Sequence, residues 1–170
     1  MAEQAEDFVL EATDGERVRL TGALAGKRAA LVVFWSGVCS HCQRYDDYLG
    51  GFAERYPDVA LLVVACRKGE DLAAVRRTAA ARRLGFPILV DADRHVAHAW
   101  QVHQTPRAFL VSPELEVVYR GAIDNFTYPD DPAHAPYLET ALGEHLAGRP
   151  LSRADSPSFG CPVESVYYRK

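Results

Sequence analysis

Two stretches of this sequence leave few options for its fold. Ala29-Ala-Leu-Val-Val-Phe-Trp35 and Val59-Ala-Leu-Leu-Val-Val-Ala65 are unbroken by any charged or polar side chain and rich in β-branched residues. A strand with one face in water alternates apolar and polar residues, so uninterrupted runs of this length predict strands covered on both faces, as in the middle of a parallel sheet. Both fall far short of the roughly 18 apolar residues that a membrane-crossing helix needs. Between them, Cys42, Tyr45, Leu49, Phe52 and Tyr56 recur at intervals of three and four and predict one face of a helix. Strand, helix and parallel strand in that order form a βαβ unit, the seed of a layered α/β domain.

The flanking segments extend the pattern. Phe8 to Leu20 holds two short segments around Asp14-Gly15, which predicts a small hairpin or flap at the amino-terminal end. Leu72, Val75 and Ala79 suggest a second helix, Ile88 to Val90 a short strand, and Val96 with Trp100 a third helix entered after Asp91 and Asp93. Ala108–Val111 and Leu115–Tyr119 flank Ser112-Pro113-Glu114 and predict an antiparallel pair, which makes the sheet mixed. A last helix is marked by Leu138, Leu142, His145 and Leu146. From Gly148 the chain turns to Pro, Ser and Gly, so residues 1–150 read as one domain and 151–170 as an extended tail. Phe159, Tyr167 and Tyr168 give that tail apolar surface with which to dock.

At 170 residues and 48% hydrophobic content the chain can build a core without disulfide staples, so its four cysteines point to chemistry rather than scaffolding. A net charge of -4, with arginines scattered among acids, supplies no basic stripe for nucleic acid; the expected partners are disulfide-containing proteins or small thiols and a recycling redox partner. Glu3, Glu6 and Asp7 stand where a secretory leader carries positive charge, which predicts a cytoplasmic protein, or an exported or anchored one if a leader was removed.

Cys39-Ser-His-Cys42 sits where the first apolar run meets its helix. Two cysteines three apart in a first helical turn are within disulfide reach, and the unpaired N–H groups of that turn favour a thiolate, the species that attacks in exchange. Cys39, at the tip, is the expected nucleophile. Cys42, sharing the apolar face with Tyr45 and Leu49, is the expected resolving cysteine. A zinc site would need a second ligand pair, and Cys66 and Cys161 lie far from each other and from the first pair, so neither metal nor other cofactor is expected. His95 and His98 have helical ligand spacing but lack a third ligand. Cys66, at the end of the second apolar run, reads first as a buried inert thiol and second as an additional redox residue near the pair.

Phe34-Trp35 followed by Cys39-Ser-His-Cys42, then Phe86-Pro-Ile-Leu-Val-Asp-Ala-Asp93 and Thr105-Pro-Arg-Ala-Phe-Leu-Val-Ser-Pro113, resembles the thioredoxin-like thiol oxidoreductases of the redoxin and cytochrome-maturation group, over about residues 5 to 147. The resemblance implies a thioredoxin-like fold, thiol–disulfide exchange, and a cis proline at Pro106. Thr105 and Pro106 would then line a groove where the Thr105 main chain pairs with an extended substrate. His41 inside the pair resembles the oxidising members of the superfamily and, with Trp35, would tune the couple. Departures matter too. The slot of thioredoxin's buried aspartate is Val33, the aromatic residue before the first cysteine is replaced by Val38, and no acid is evident to accept the Cys42 proton.

Two other activities fit parts of the pattern. A thiol peroxidase of the peroxiredoxin kind would place a hydroxyl at Ser36, which is present, and a proline at position 32, which is Val32. A copper-binding assembly factor would use Cys39, Cys42 and His103, although its cysteines usually stand four apart and His103 is displaced by about one residue. Cys161, in Phe159-Gly-Cys-Pro162, reads first as a buried structural residue; if the tail returns to the pair, it becomes a third redox centre bonded to Cys39 or Cys66.

Overall fold

A computed structural model describes residues 3–157 and 160–164. Both apolar runs form strands with the predicted bounds: β4 (Ala29–Trp35), every residue buried, and β5 (Val59–Ala65), parallel to it from Ala29↔Val59 to Trp35↔Ala65. Side chains along β4 alternate between two apolar clusters: Ala29, Leu31, Val33 and Trp35 enter one, and Ala30, Val32 and Phe34 the other. The period-2 geometry of a strand requires this split, and it is why neither face of the run can carry a polar residue.

Around this pair the chain adds β1 (Glu3–Gln4), β2 (Val9–Ala12), β3 (Arg17–Arg19), α1 (Leu20–Leu24), then α2 (Ser40–Gln43), α3 (Asp46–Gly50) and α4 (Phe52–Arg55) between β4 and β5. After β5 come α5 (Leu72–Ala81), β6 (Ile88–Val90), α6 (His95–Ala99), β7 (Gln104–Thr105), β8 (Arg107–Val111), β9 (Glu116–Gly121), α7 (Tyr137–Leu146) and β10 (Cys161–Pro162). Eight strands form one mixed sheet in the order β1-β9-β8-β4-β5-β6-β2-β3, with β8 antiparallel to β4 and β6 parallel to β5. Residues of α2–α5 and α7 fill the cluster on one face; α1, α6 and the β2 strand fill the other. The expected mixed sheet flanked by helices, with its amino-terminal flap, is thus the observed thioredoxin-like fold.

One helix between β4 and β5 was expected, and the chain forms three short ones. At Tyr45 the amide bonds back to Cys42 O (3.0 Å), an i−3 bond, and interrupts the regular ladder; Gly50-Gly51, poor helix formers, mark the second break. The apolar face survives both breaks, since Cys42, Tyr45, Leu49 and Phe52 are all buried and Tyr56 packs against the same cluster. Other predicted elements follow their local signals. Asp71 caps α5 by accepting the Ala74 amide (2.8 Å), and the Asp91 carboxylate accepts the Val96 (3.3 Å) and Ala97 (2.9 Å) amides at the start of α6. Trp100 is a packing residue, edge-on to Phe8, Phe34 and Phe109. Among the described residues no helix is long and apolar enough to cross a membrane.

The tail is extended but does not stand apart. Its backbone joins the β9 edge, where Arg120 N donates to Ala154 O (3.0 Å) and Ser156 N to Arg120 O (3.1 Å), and β10 pairs with β7. Val163 is buried in the second apolar cluster. Phe159, Tyr167 and Tyr168 lie outside the described residues.

Candidate active site

The site is assembled at the carboxyl end of β4. The loop Ser36-Gly37-Val38 is held from below by Glu70, whose carboxylate accepts the Ser36 hydroxyl and the Gly37 amide (3.0 Å). Arg82, just beyond α5, holds it from the side: one guanidinium nitrogen donates to Gly37 O (3.0 Å), another to Asp46 (3.0 Å), and the group lies over the Trp35 ring at 5.4 Å. A Cβ at Gly37 would stand 2.9 Å from Thr78 Cγ2, so any larger residue there has to displace the Thr78 side chain. Trp35 itself is fully buried.

Cys39 caps α2 in an extended conformation, and its carbonyl accepts the Cys42 and Gln43 amides (both 3.1 Å). The α2 turn is short, so few aligned peptide dipoles stand behind the cysteine, and the local unpaired amides are what remain of the expected helix-terminal field. The Thr105–Pro106 peptide is cis and brings Thr105 against both cysteines. Its carbonyl oxygen lies 3.7 Å from Cys39 Sγ, and hydrogen bonding by its side chain draws the Cys42 pKa down.

Cys39 does not stand at an exposed tip: it is 1% exposed and disulfide-bonded to Cys161, with Cα atoms 6.0 Å apart. The cause is the tail, which covers Cys39 and presents Cys161 to it. Cys161 is buried and bonded to Cys39, one of the two partners expected for a tail that returns to the pair, and Cys42 is a free, fully buried thiol. Burial pushes the Cys42 pKa up to about 12, against the Thr105 hydrogen bond, the Ser36 backbone and the charge of Arg82; the charge of Glu70 adds to the rise. Cys66 is a free thiol with no exposure, and burial raises its pKa well above the ordinary value, with the charge of Asp91 adding to it.

The remaining predicted residues are dispersed. His41 packs its ring on Phe126 (4.8 Å between centroids), and its buried Nδ1 has no hydrogen-bond partner among the described residues. His103 is exposed, and its carbonyl accepts the Val163 amide (3.0 Å). The copper-binding constellation is not formed: among the described residues the only three candidate metal ligands brought within 4.8 Å of one another are Asp91, Asp93 and His95. His95 turns to those aspartates while His98 turns to Glu164, so the two histidines do not share a site. At the peroxidase slots, the Ser36 hydroxyl is engaged by Glu70 and Val32 is buried in β4. Val38, in place of the usual aromatic residue, is 62% exposed beside the cysteines.

Sequence reasoning missed Glu70 and Arg82. Burial raises the Glu70 pKa, with Ser36, Gly37 and the charges of Arg67 and Arg82 pulling the other way. Nothing in its spacing marks it: it lies in the loop after β5 and reaches Ser36 only because β5 lies beside β4.

A family model described as AhpC/TSA matches residues 1–120. Thiol-disulfide oxidoreductase ResA of Bacillus subtilis is 33% identical over 114 residues, 67% of this chain and 63% of that protein, so the match spans a little under two thirds of the relative. A hypothetical protein from Sinorhizobium meliloti superimposes with a TM-score of 0.84 at 28% identity, covering 98% of this chain and 94% of its own. An uncharacterized conserved protein from Geobacillus kaustophilus shares the fold with a TM-score of 0.85 at 24% identity, covering 99% and 94%. Both structural matches run past residue 120 into the tail.

Proposed function

The chain belongs to the AhpC/TSA family, and from that premise we propose that it is a thiol–disulfide oxidoreductase working through Cys39 and Cys42. The observation that carries the reading is the cis Thr105–Pro106 peptide set against the cysteine pair, with the Thr105 carbonyl 3.7 Å from Cys39 Sγ and its side chain drawing the Cys42 pKa down. Cys39 attacks a substrate disulfide, one substrate sulfur leaves as thiolate, and a mixed disulfide forms. Cys42 then attacks Cys39 Sγ, releasing the second substrate thiol and leaving a Cys39–Cys42 bond for a separate redox partner to reduce. Thr105 and Pro106 line the groove, and exposed Val38 offers apolar contact to a protein substrate. His41 is assigned to tuning the couple. Trp35 is a positioning residue, its ring beneath Arg82. The similarity to ResA, an oxidoreductase by name, supports the same chemistry.

The test is mixed-disulfide trapping. Cys42→Ser is expected to accumulate covalent adducts with reducible proteins, and Cys39→Ser to form none and lose insulin reduction. Normal insulin reduction by the Cys39 variant sinks the reading. Replacing His41 with Ala is expected to make the couple more reducing in equilibrium with glutathione, and an unchanged potential removes His41 from that role.

A further inference from the structure

Residues 154–157 and 160–164 of the tail are seated by contacts that do not depend on its cysteine. Ser156 Oγ accepts the Ala122 amide (3.0 Å) and bonds the Tyr119 hydroxyl (2.6 Å), and a Cβ on Gly121 would stand 2.2 Å from that oxygen. At Gly160 a Cβ would stand 1.6 Å from Thr105 O, so only glycine lets the tail backbone lie this close to the groove. Cys161 is then in antiparallel register with Thr105, and Pro162 with Gln104. Beyond it Val163 is 1% exposed, its amide donates to His103 O (3.0 Å) and its carbonyl accepts the Lys68 amide (2.8 Å), while Glu164 pairs with Arg94 and His98.

We infer that residues 160–164 are an internal substrate strand and that Cys161 is a third exchange-active cysteine. This rests on the thiol–disulfide reading above, and it identifies what the groove takes: an extended, antiparallel, cysteine-bearing segment with glycine before the cysteine. The Cys39–Cys161 bond is the intramolecular counterpart of a substrate mixed disulfide. Its resolution needs no outside oxidant or reductant: the Cys42 thiolate attacks Cys39 Sγ, the Cys39–Cys42 bond forms, the Cys39–Cys161 bond breaks, and Cys161 leaves as a thiolate that takes up the proton Cys42 lost. The oxidised chain thus has two isomers, one with the groove filled by its own tail and one with it open. Burial of Cys42, which disfavours its thiolate, slows passage from the first isomer to the second. One β7 edge accepts one strand, so an external substrate competes with the tail.

The experiment compares oxidised full-length wild type, Gly160→Ala and Cys161→Ser by non-reducing peptide mapping, together with initial rates of insulin reduction with dithiothreitol as the electron donor. Wild type is expected to carry mainly Cys39–Cys161. Gly160→Ala, with every cysteine retained, is expected to carry mainly Cys39–Cys42 and to reduce insulin several-fold faster. Circular dichroism checks that Gly160→Ala is folded, and Cys161→Ser supplies the same open-groove map without a change at Gly160. If wild type carries only Cys39–Cys42, or if Gly160→Ala leaves map and rate unchanged, the tail inference is overturned; the exchange reading stands or falls separately on Cys39→Ser.

Discussion

Replacing Cys161 with Ser should cost the oxidised protein a specific amount of stability, set by loop length. Cys39 and Cys161 are 122 residues apart, and cross-linking so long a loop removes denatured-state entropy equivalent to about 5 kcal/mol at 25 °C in the chain-entropy relation. In oxidised Cys161→Ser the available bridge is Cys39–Cys42, and closing a loop of three residues is equivalent to only about 1.6 kcal/mol by the same relation. The two oxidised proteins should therefore differ by about 3 kcal/mol. For a chain of this size that corresponds to a fall in Tm of roughly 6–12 °C. The assay is urea unfolding followed by circular dichroism, with free thiols counted before each run. The wild type should also unfold with a smaller m-value, because its cross-linked denatured state exposes less surface. In reductant the gap should shrink to the cost of one buried sulfur-to-oxygen change. Equal stability of the two oxidised proteins would refute a long-range bridge as the oxidised form.

Glu70→Gln removes a negative charge that holds the Cys42 pKa up, so that pKa should fall from about 12 and the thiolate fraction at pH 8 should rise; release of the Cys161 thiol, read by timed alkylation, should accelerate, whereas a slower release would mean that Glu70 serves as a base. In wild type the same rate should climb tenfold per pH unit below the Cys42 pKa, and a flat profile would remove Cys42 as the attacking group. Phe34→Ala empties a fully buried site packed edge-on to Trp100 and Phe109 and should cost about 3–5 kcal/mol in denaturant unfolding; a loss below that range would mean the cluster collapses into the cavity. Hydrogen peroxide should oxidise Cys39 slowly in the reduced protein, because the Ser36 hydroxyl is committed to Glu70 and Val32 fills the proline slot; fast, saturating turnover with a thiol donor would restore the peroxidase reading.

Local patterns in the chain were enough for the βαβ frame, the hairpin around Gly15, α5, α6 and α7, because apolar periodicity and capping residues act over a few positions and the sheet only completes what they begin. The break at Tyr45 was not legible: the apolar face continues through it, and face periodicity does not distinguish an i−4 bond from an i−3 bond. Ser36 and His41, close in sequence to the cysteine pair, and Thr105, through the family resemblance, could be named as candidates. Glu70 and Arg82 could not, since each reaches the loop across the fold and neither belongs to a motif.

Cys161 shows the division most clearly. From the sequence alone came the presence of a tail cysteine flanked by Gly160 and Pro162, its distance from the pair, and the two partners it would have if the tail came back. Which course the tail takes was decided by tertiary structure: the β9 edge binds Ser156, a pocket in the second cluster buries Val163, and the Thr105 carbonyl admits only a glycine beside it. Those anchors come from segments far apart along the chain, and contacts that close such long loops depend on where the rest of the fold has brought their ends, which no local pattern encodes.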